Sequence, residues 1–278
     1  MTDDRATAPR AMVVTGAGSG IGAAVAGRAA HDGWQLTLAG RRRDRLDQVA
    51  ARCAGRADVH VADVADPDAA GELVAAAVRR WGRLDCVVTN AGVMAAGTVL
   101  ETEPAEWDRV LATNLTAAYL LARAALPALL DAHGSLVAVA SIAALRAPSG
   151  SAAYAVSKAG LVMLAQTVAR DFGGSGVRAN VVCPGWVRTE MADEEMAAFG
   201  TPYGLDRDAS YDEITRLVPQ GRPAHAHEVA AAVTWLAGPD ASYVNGACLV
   251  VDGGTVLVDP GTVGFDFTVT ARNPRDSQ

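Results

Sequence analysis

Short apolar runs rich in Val, Leu and Ala recur at positions 12–15, 34–39, 59–62, 86–89, 136–140, 177–182 and 248–251. They are too short for helices and show little alternation, the pattern of strands buried on both faces. Longer segments with helical spacing lie between them, near 20–31, 43–53, 67–81, 104–131, 152–172 and 227–237. This rhythm predicts right-handed βαβ units. They build an α/β, Rossmann-like, doubly wound fold with a single seven-stranded parallel sheet and helices on both faces. No linker rich in Pro, Gly or Ser divides the chain, so 11–254 reads as one domain. A polar, flexible lead at 1–10 precedes it, and an extension at 255–278 follows. Two regions break the rhythm. The stretch 184–220 is long and lid-like. In the extension, Phe265, Phe267 and Val269 alternate as on an extended strand with one apolar side, expected to pack on its own or a neighbouring subunit.

Composition narrows the class. Of 278 residues, 50% are hydrophobic and 20% charged, enough for a real core and against disorder. A net charge of −7 spread over both halves offers no basic surface for nucleic acid or anionic lipid. Cys53, Cys86, Cys183 and Cys248 are scattered without a Cys-x-x-Cys. They read as small buried hydrophobes in a reducing compartment, not as a zinc or disulfide framework. The first ten residues lack an apolar signal core, and the most apolar helix, 117–130, contains Arg123 and Pro127 and is short for a bilayer span. The expectation is a cytoplasmic protein without nucleic-acid or membrane partners. His225 and His227 have no third ligand near in sequence; His227-Glu228 reads as the opening of a helix, and no metal is expected.

The chemistry begins where the first strand meets the first helix, at Thr15-Gly-Ala-Gly-Ser-Gly-Ile-Gly22. Glycines permit left-handed backbone and close approach of a phosphate to the helix N-terminus, where free N–H groups and the dipole favour an anion. Gly16, Ser19, Gly20, Ile21 and Gly22 are the expected pyrophosphate contacts. An NAD site places a carboxylate after the second strand. Here Gly40 stands there, followed by Arg41, Arg42 and Arg43. Guanidinium groups suit a ribose 2′-phosphate, so the cofactor reads as NADP(H), with NAD(H) the alternative and Arg41 and Arg42 as contacts. Farther on, Tyr154 and Lys158 sit one helical turn apart. An ammonium beside a phenol is expected to lower its pKa toward the working range of a general acid or base. Ser141, at the end of an apolar strand, can present a hydroxyl to the oxygen that Tyr154 protonates.

Together these residues resemble the short-chain dehydrogenase/reductase family, in its common single-domain form, over roughly 10–254. Further motifs fall in the family's order: Asp63-Val64, Thr89-Asn90-Ala91-Gly92, Asn114, and Pro184-Gly-Trp-Val-Arg-Thr189. Thr89 replaces the family's first Asn, a mild departure. The resemblance implies adenine contacts at Asp63 and Val64 and further cofactor contacts at Asn90, Ala91, Gly92, Pro184, Gly185, Val187 and Thr189. It also implies catalysis by Asn114, Ser141, Tyr154 and Lys158. Tyr154 would be the general acid or base and Ser141 the polariser of the substrate oxygen. Lys158 would tune Tyr154 and hold the nicotinamide ribose. Asn114 would hold a relay water, and a helix kink would accommodate it. Homodimers or homotetramers are expected.

The implied activity is hydride transfer between nicotinamide and a carbonyl or secondary alcohol of a largely apolar small molecule. The alternatives are a 3-oxoacyl thioester reductase, an NAD-dependent alcohol dehydrogenase or, in another class, a catalytically silent cofactor-binding sensor. Candidate substrate walls are Leu145 and Ala153 on one side and the lid residues Trp186, Met191, Met196, Phe199 and Tyr203 on the other. The lid's many carboxylates argue against a strongly anionic substrate.

Overall fold

The computed structural model describes residues 8–262. The first half comprises β1 (Ala11–Thr15), α1 (Gly20–His31), β2 (Gln35–Gly40), α2 (Arg43–Ala51), β3 (Ala57–Val61), α3 (Ala69–Trp81) and β4 (Cys86–Thr89). Then come α4 (Pro104–Leu111), α5 (Ala117–Ala132), β5 (Ser135–Val139), α6 (Ala152–Phe172) and β6 (Arg178–Pro184). The last part holds β7 (Val187–Arg188), α7 (Glu190–Gly200), α8 (Arg207–Thr215), β8 (Ala224–His225), α9 (Ala226–Ala237) and β9 (Cys248–Val251). Seven strands form one parallel sheet in the order β3-β2-β1-β4-β5-β6-β9, and β7 pairs with β8 beside it.

The two-residue side-chain period divides the core between the sheet's faces. Met12, Val14, Leu36 and Leu38 pack with Val25 and Ala29 of α1 and Val229 and Val233 of α9. Val13, Val87, Leu136 and Ala138 turn the other way, toward Leu73 of α3, Leu121 of α5 and Leu161 of α6. Chain order reverses between β1 and β4, so the loops leaving their C-terminal ends diverge and open a crevice.

The kink expected at Asn114 is a π-helical turn at Ala112–Thr116 that interrupts the helix over 104–131. Two details depart from the expectations. The helical segments Pro104–Ala132 and Ala152–Ser175 are long and apolar enough to cross a membrane by length and composition. Here their buried residues fill the core layer shared with α3. Finally, Cys183 and Cys248, far apart in sequence, lie on adjacent strands with sulfurs 3.2 Å apart.

The described segments just outside the sheet make specific contacts. The Arg10 guanidinium lies 4.2 Å from the centre of the Trp34 ring. The Asp252 carboxylate accepts from the N–H groups of Gly254 and Val256, and Arg146 donates to the carbonyls of Val256 and Val258. The extension therefore starts out folded against the segment that follows Ser141. Phe265, Phe267 and Val269 lie outside the described residues.

Candidate active site

The crevice at the reversal is lined by Gly16, Ser19, Gly20, Ile21, Gly40, Arg41, Arg42, Asp63, Val64, Asn90, Ala91, Gly92, Tyr154, Lys158 and Thr189, among others. The glycine turn fits a phosphate group for a steric reason. Gly20 has φ +53°, and a Cβ there would stand 3.1 Å from Thr189 Cγ2 across the crevice. A Cβ on Gly22 would approach Gly16 O to 2.3 Å. Only bare backbone brings the open end of α1 to the crevice floor, with its first-turn N–H groups unpaired by the helix. Asn90 acts mainly as a brace, because its Nδ2 donates to the carbonyls of Thr15 (2.9 Å) and Gly16 (3.2 Å). Thr15 Oγ1 accepts from the N–H groups of Asn90 and Ala91, a role the sequence reading missed. These residues fit a dinucleotide: a carbonyl-tied glycine cradle, an open helix end, and arginines at the far rim.

At the other end of the crevice, α6 carries Tyr154 and Lys158, and the turn after β5 carries Ser141. The Ser141 hydroxyl accepts from the Ala143 N–H at 3.1 Å and lies close enough to the Tyr154 phenol to favour its charged form. Lys158 is 4% exposed, and its Nζ donates to the Val139 carbonyl at 3.0 Å and stands 5.5 Å from the centre of the Tyr154 ring. Burial pulls the lysine down to about 8, because a charged ammonium loses its water there. Burial pushes the Tyr154 phenol up to about 12. The Ser141 hydroxyl works against that shift and the nearby Glu195 carboxylate adds to it. The lowering expected from the lysine neighbour is not the direction found: desolvation is the largest influence on the phenol, and Ser141, not Lys158, opposes it.

Asn114 is 1% exposed. Its Oδ1 accepts from the Val93 N–H at 2.8 Å, and its Nδ2 donates to Val93 O and Ser157 Oγ, each at 3.0 Å. Ser157 Oγ in turn donates to the Tyr154 carbonyl at 2.7 Å. The Asn114 side chain is therefore engaged at both ends, clamping the loop after β4 to the helix of Tyr154. The π-helical turn widens the helix just where this clamp is made. Gly92 keeps the space open, since a Cβ there would lie 3.3 Å from Lys158 Nζ.

Residues 16–256 match the family model described as enoyl-(acyl carrier protein) reductase. A meso-2,3-butanediol dehydrogenase of Serratia marcescens is 38% identical, over 88% of this chain and 94% of the relative. The chain belongs to the short-chain dehydrogenase/reductase family. Among solved structures, a levodione reductase superposes on this short-chain dehydrogenase/reductase with a TM-score of 0.86. It has 30% identity and covers 91% of this chain and 99% of that one. An actinorhodin polyketide ketoreductase variant with NADPH gives a TM-score of 0.84 at 32% identity, covering 88% and 97%. Like its family, this enzyme binds a nicotinamide cofactor and is an oxidoreductase of carbonyl and alcohol groups.

In this short-chain dehydrogenase/reductase the expected lid divides in two. Pro184 ends β6 and Val187, 5% exposed, joins the core beside α1 and α9; neither lines the crevice, nor does Gly185, which packs against Asp252. The cover starts at Thr189, whose Oγ1 caps α7 by accepting from the Ala192 N–H at 3.2 Å. Ala192, Met196 and Tyr211 form a small core between α7 and α8, with Trp186 and Ile214 packed on it. The reading of Met196 as a substrate wall gives way to packing, because at 1% exposure it holds the two lid helices together. Ala153, also 1% exposed, is likewise buried at the start of α6. Met191 lines the crevice, and Leu145, at the end of the turn that Ser141 opens, is exposed. Phe199 and Tyr203 meet ring to ring at 5.7 Å at the outer end of α7.

Several of the lid's carboxylates have cationic partners: Asp208 pairs with Arg188 at 2.5 Å, Asp193 with Arg207 at 3.6 Å and Glu213 with Arg216 at 3.4 Å. These pairs offset part of the repulsion that the sequence suggests at the entrance. Glu195 is half-buried, and burial raises its carboxyl. The helix opens just ahead of His227: His225 is the N-cap of α9, and its N–H donates to the Glu228 carboxylate at 2.8 Å. Sequence reasoning missed the crevice-lining Glu190 as a site residue. Its signal was only a carboxylate directly after the matched Thr189.

Proposed function

We propose that this enzyme transfers a hydride between NADP(H) and a carbonyl or secondary alcohol of a small, largely uncharged molecule, with Tyr154 as general acid and base. The observation that carries the reading is the convergence of Ser141, Tyr154 and Lys158 at one end of a crevice whose other end is a glycine cradle rimmed by Arg41 and Arg42. The nicotinamide supplies or accepts the hydride; the chain's residues position the partners and move the proton. In reduction, the neutral Tyr154 phenol, held protonated by burial, donates its proton to the substrate oxygen. The Ser141 hydroxyl donates a hydrogen bond to the same oxygen as negative charge builds on it. Lys158, with its pKa near 8, keeps a positive charge beside the phenol at neutral pH and favours the phenolate left after donation. Oxidation runs these steps in reverse.

The NADP(H) preference is supported by Gly40, which puts no carboxylate at the end of β2, and by two arginines on the crevice rim. Assembly into a homodimer or homotetramer is supported by the outward-facing Tyr119 of α5 and Val156 and Met163 of α6, each about half exposed or more. A cytoplasmic setting is supported by four free thiols in the chain. The deciding assay is absorbance at the nicotinamide band with NADPH and NADH over a panel of ketones, secondary alcohols, vicinal diols and a 3-oxoacyl thioester. Turnover of a ketone with NADPH, lost in Tyr154→Phe, is the expected result. Turnover of the thioester alone would transfer the enzyme to acyl-carrier substrates.

A further inference from the structure

The crevice holds one carboxylate in an unexpected place. Glu190, the first residue of α7, reaches back across the mouth to the arginines that follow β2. Its Oε2 accepts from Arg42 Nη2 at 3.0 Å, and its Oε1 pairs with Arg45 Nη2 at 3.3 Å. The same Arg42 nitrogen donates to Ser19 Oγ, at the head of the glycine turn, at 3.1 Å. Glu190, Arg42 and Ser19 all line the crevice. Arg41, beside them, has no ion-pair partner among the described residues.

We propose that Glu190 is a specificity-determining residue: its carboxylate competes with the adenosine 2′-phosphate for Arg42 and Arg45, and so limits discrimination between NADP(H) and NAD(H). This rests on the NADP(H) reading above. A 2′-phosphate carries nearly two negative charges and binds guanidinium groups through paired N–H···O bonds. Glu190 carries the same sign and already holds two of the three nearby guanidinium groups. A phosphorylated cofactor must share or displace it, whereas an unphosphorylated one meets no such competition. The pairs are easily displaced, since each partner is about half exposed and such bridges are weak. Displacement is felt in the lid, because Glu190 starts the helix capped by Thr189.

The test uses two fragments that differ only in the 2′-phosphate, 2′,5′-ADP and 5′-AMP, titrated calorimetrically into the full chain at fixed ionic strength. NADPH and NADH are titrated in parallel by nucleotide fluorescence. Glu190→Gln keeps the side chain's shape and removes its charge. It should tighten 2′,5′-ADP and NADPH by roughly three- to tenfold and leave 5′-AMP and NADH within about twofold. The gain should shrink when Glu190→Gln is made in Arg42→Ala and compared with Arg42→Ala alone, and Glu194→Gln, an exposed change on the same helix, should show none. If the unaltered protein prefers 2′,5′-ADP and Glu190→Gln leaves that affinity unchanged or weaker, Glu190 has no such role and the cofactor reading stands. An equal gain in Glu194→Gln would also overturn it, by assigning the effect to net charge. If the unaltered protein shows no preference but Glu190→Gln creates one, the competition is upheld and the NADP(H) reading falls. No preference in either protein overturns both.

Discussion

Replacing Lys158 by methionine should abolish turnover and yet stabilise the folded protein at neutral pH. The ammonium is 4% exposed, and burial brings its pKa from 10.5 down to about 8. A folded pKa below the unfolded one means that the unfolded chain binds more protons between these values, so this group's destabilisation fades as pH rises. The penalty is nearly complete at pH 7, about 3 kcal/mol, and falls to about 1 kcal/mol at pH 9.5. Against it stands the bond to the Val139 carbonyl (3.0 Å), whose loss costs about 1–3 kcal/mol whatever the pH. Lys158→Met should therefore gain up to about 2 kcal/mol at pH 7 and lose about 2 kcal/mol of that advantage by pH 9.5. Urea unfolding of both proteins at each pH, at one protein concentration, measures the difference. A difference in stability that is the same at pH 7 and 9.5 would refute the argument, since only the titrating ammonium makes it change.

Tyr154→Phe should retain NADPH affinity within about threefold while kcat falls by about a thousandfold or more, read by fluorescence titration and steady-state kinetics. In the cofactor-free protein the Tyr154 phenol, raised to about 12, should stay protonated through pH 10, so the ultraviolet difference spectrum between wild type and Tyr154→Phe should show no phenolate band there. Arg41→Ala should weaken NADPH by roughly tenfold and NADH by less than about twofold, measured by the same titration.

Much of the molecule was legible in the chain, because the signals are local. Seven short apolar runs alternating with helical segments are enough to specify a covered parallel sheet. The glycine turn, Tyr154 with Lys158, and the motifs around Asn90, Asn114 and Thr189 carry the family resemblance within a few residues each. Packing decided the rest. Whether Met196 faces a substrate or Tyr211 depends on how two lid helices meet. That the Asn114 side chain clamps Val93 to Ser157 depends on the fold around a π-helical turn. The direction of the Tyr154 shift depends on how much water the folded site removes, which helical spacing does not encode. The carboxylate of Glu190 reaches Arg42 across 148 positions of sequence, and only the sheet's reversal between β1 and β4 brings them together. Local backbone and charge patterns thus determined the fold and the reaction class. Desolvation and long-range contacts, which exist only after folding, decided how the site is tuned.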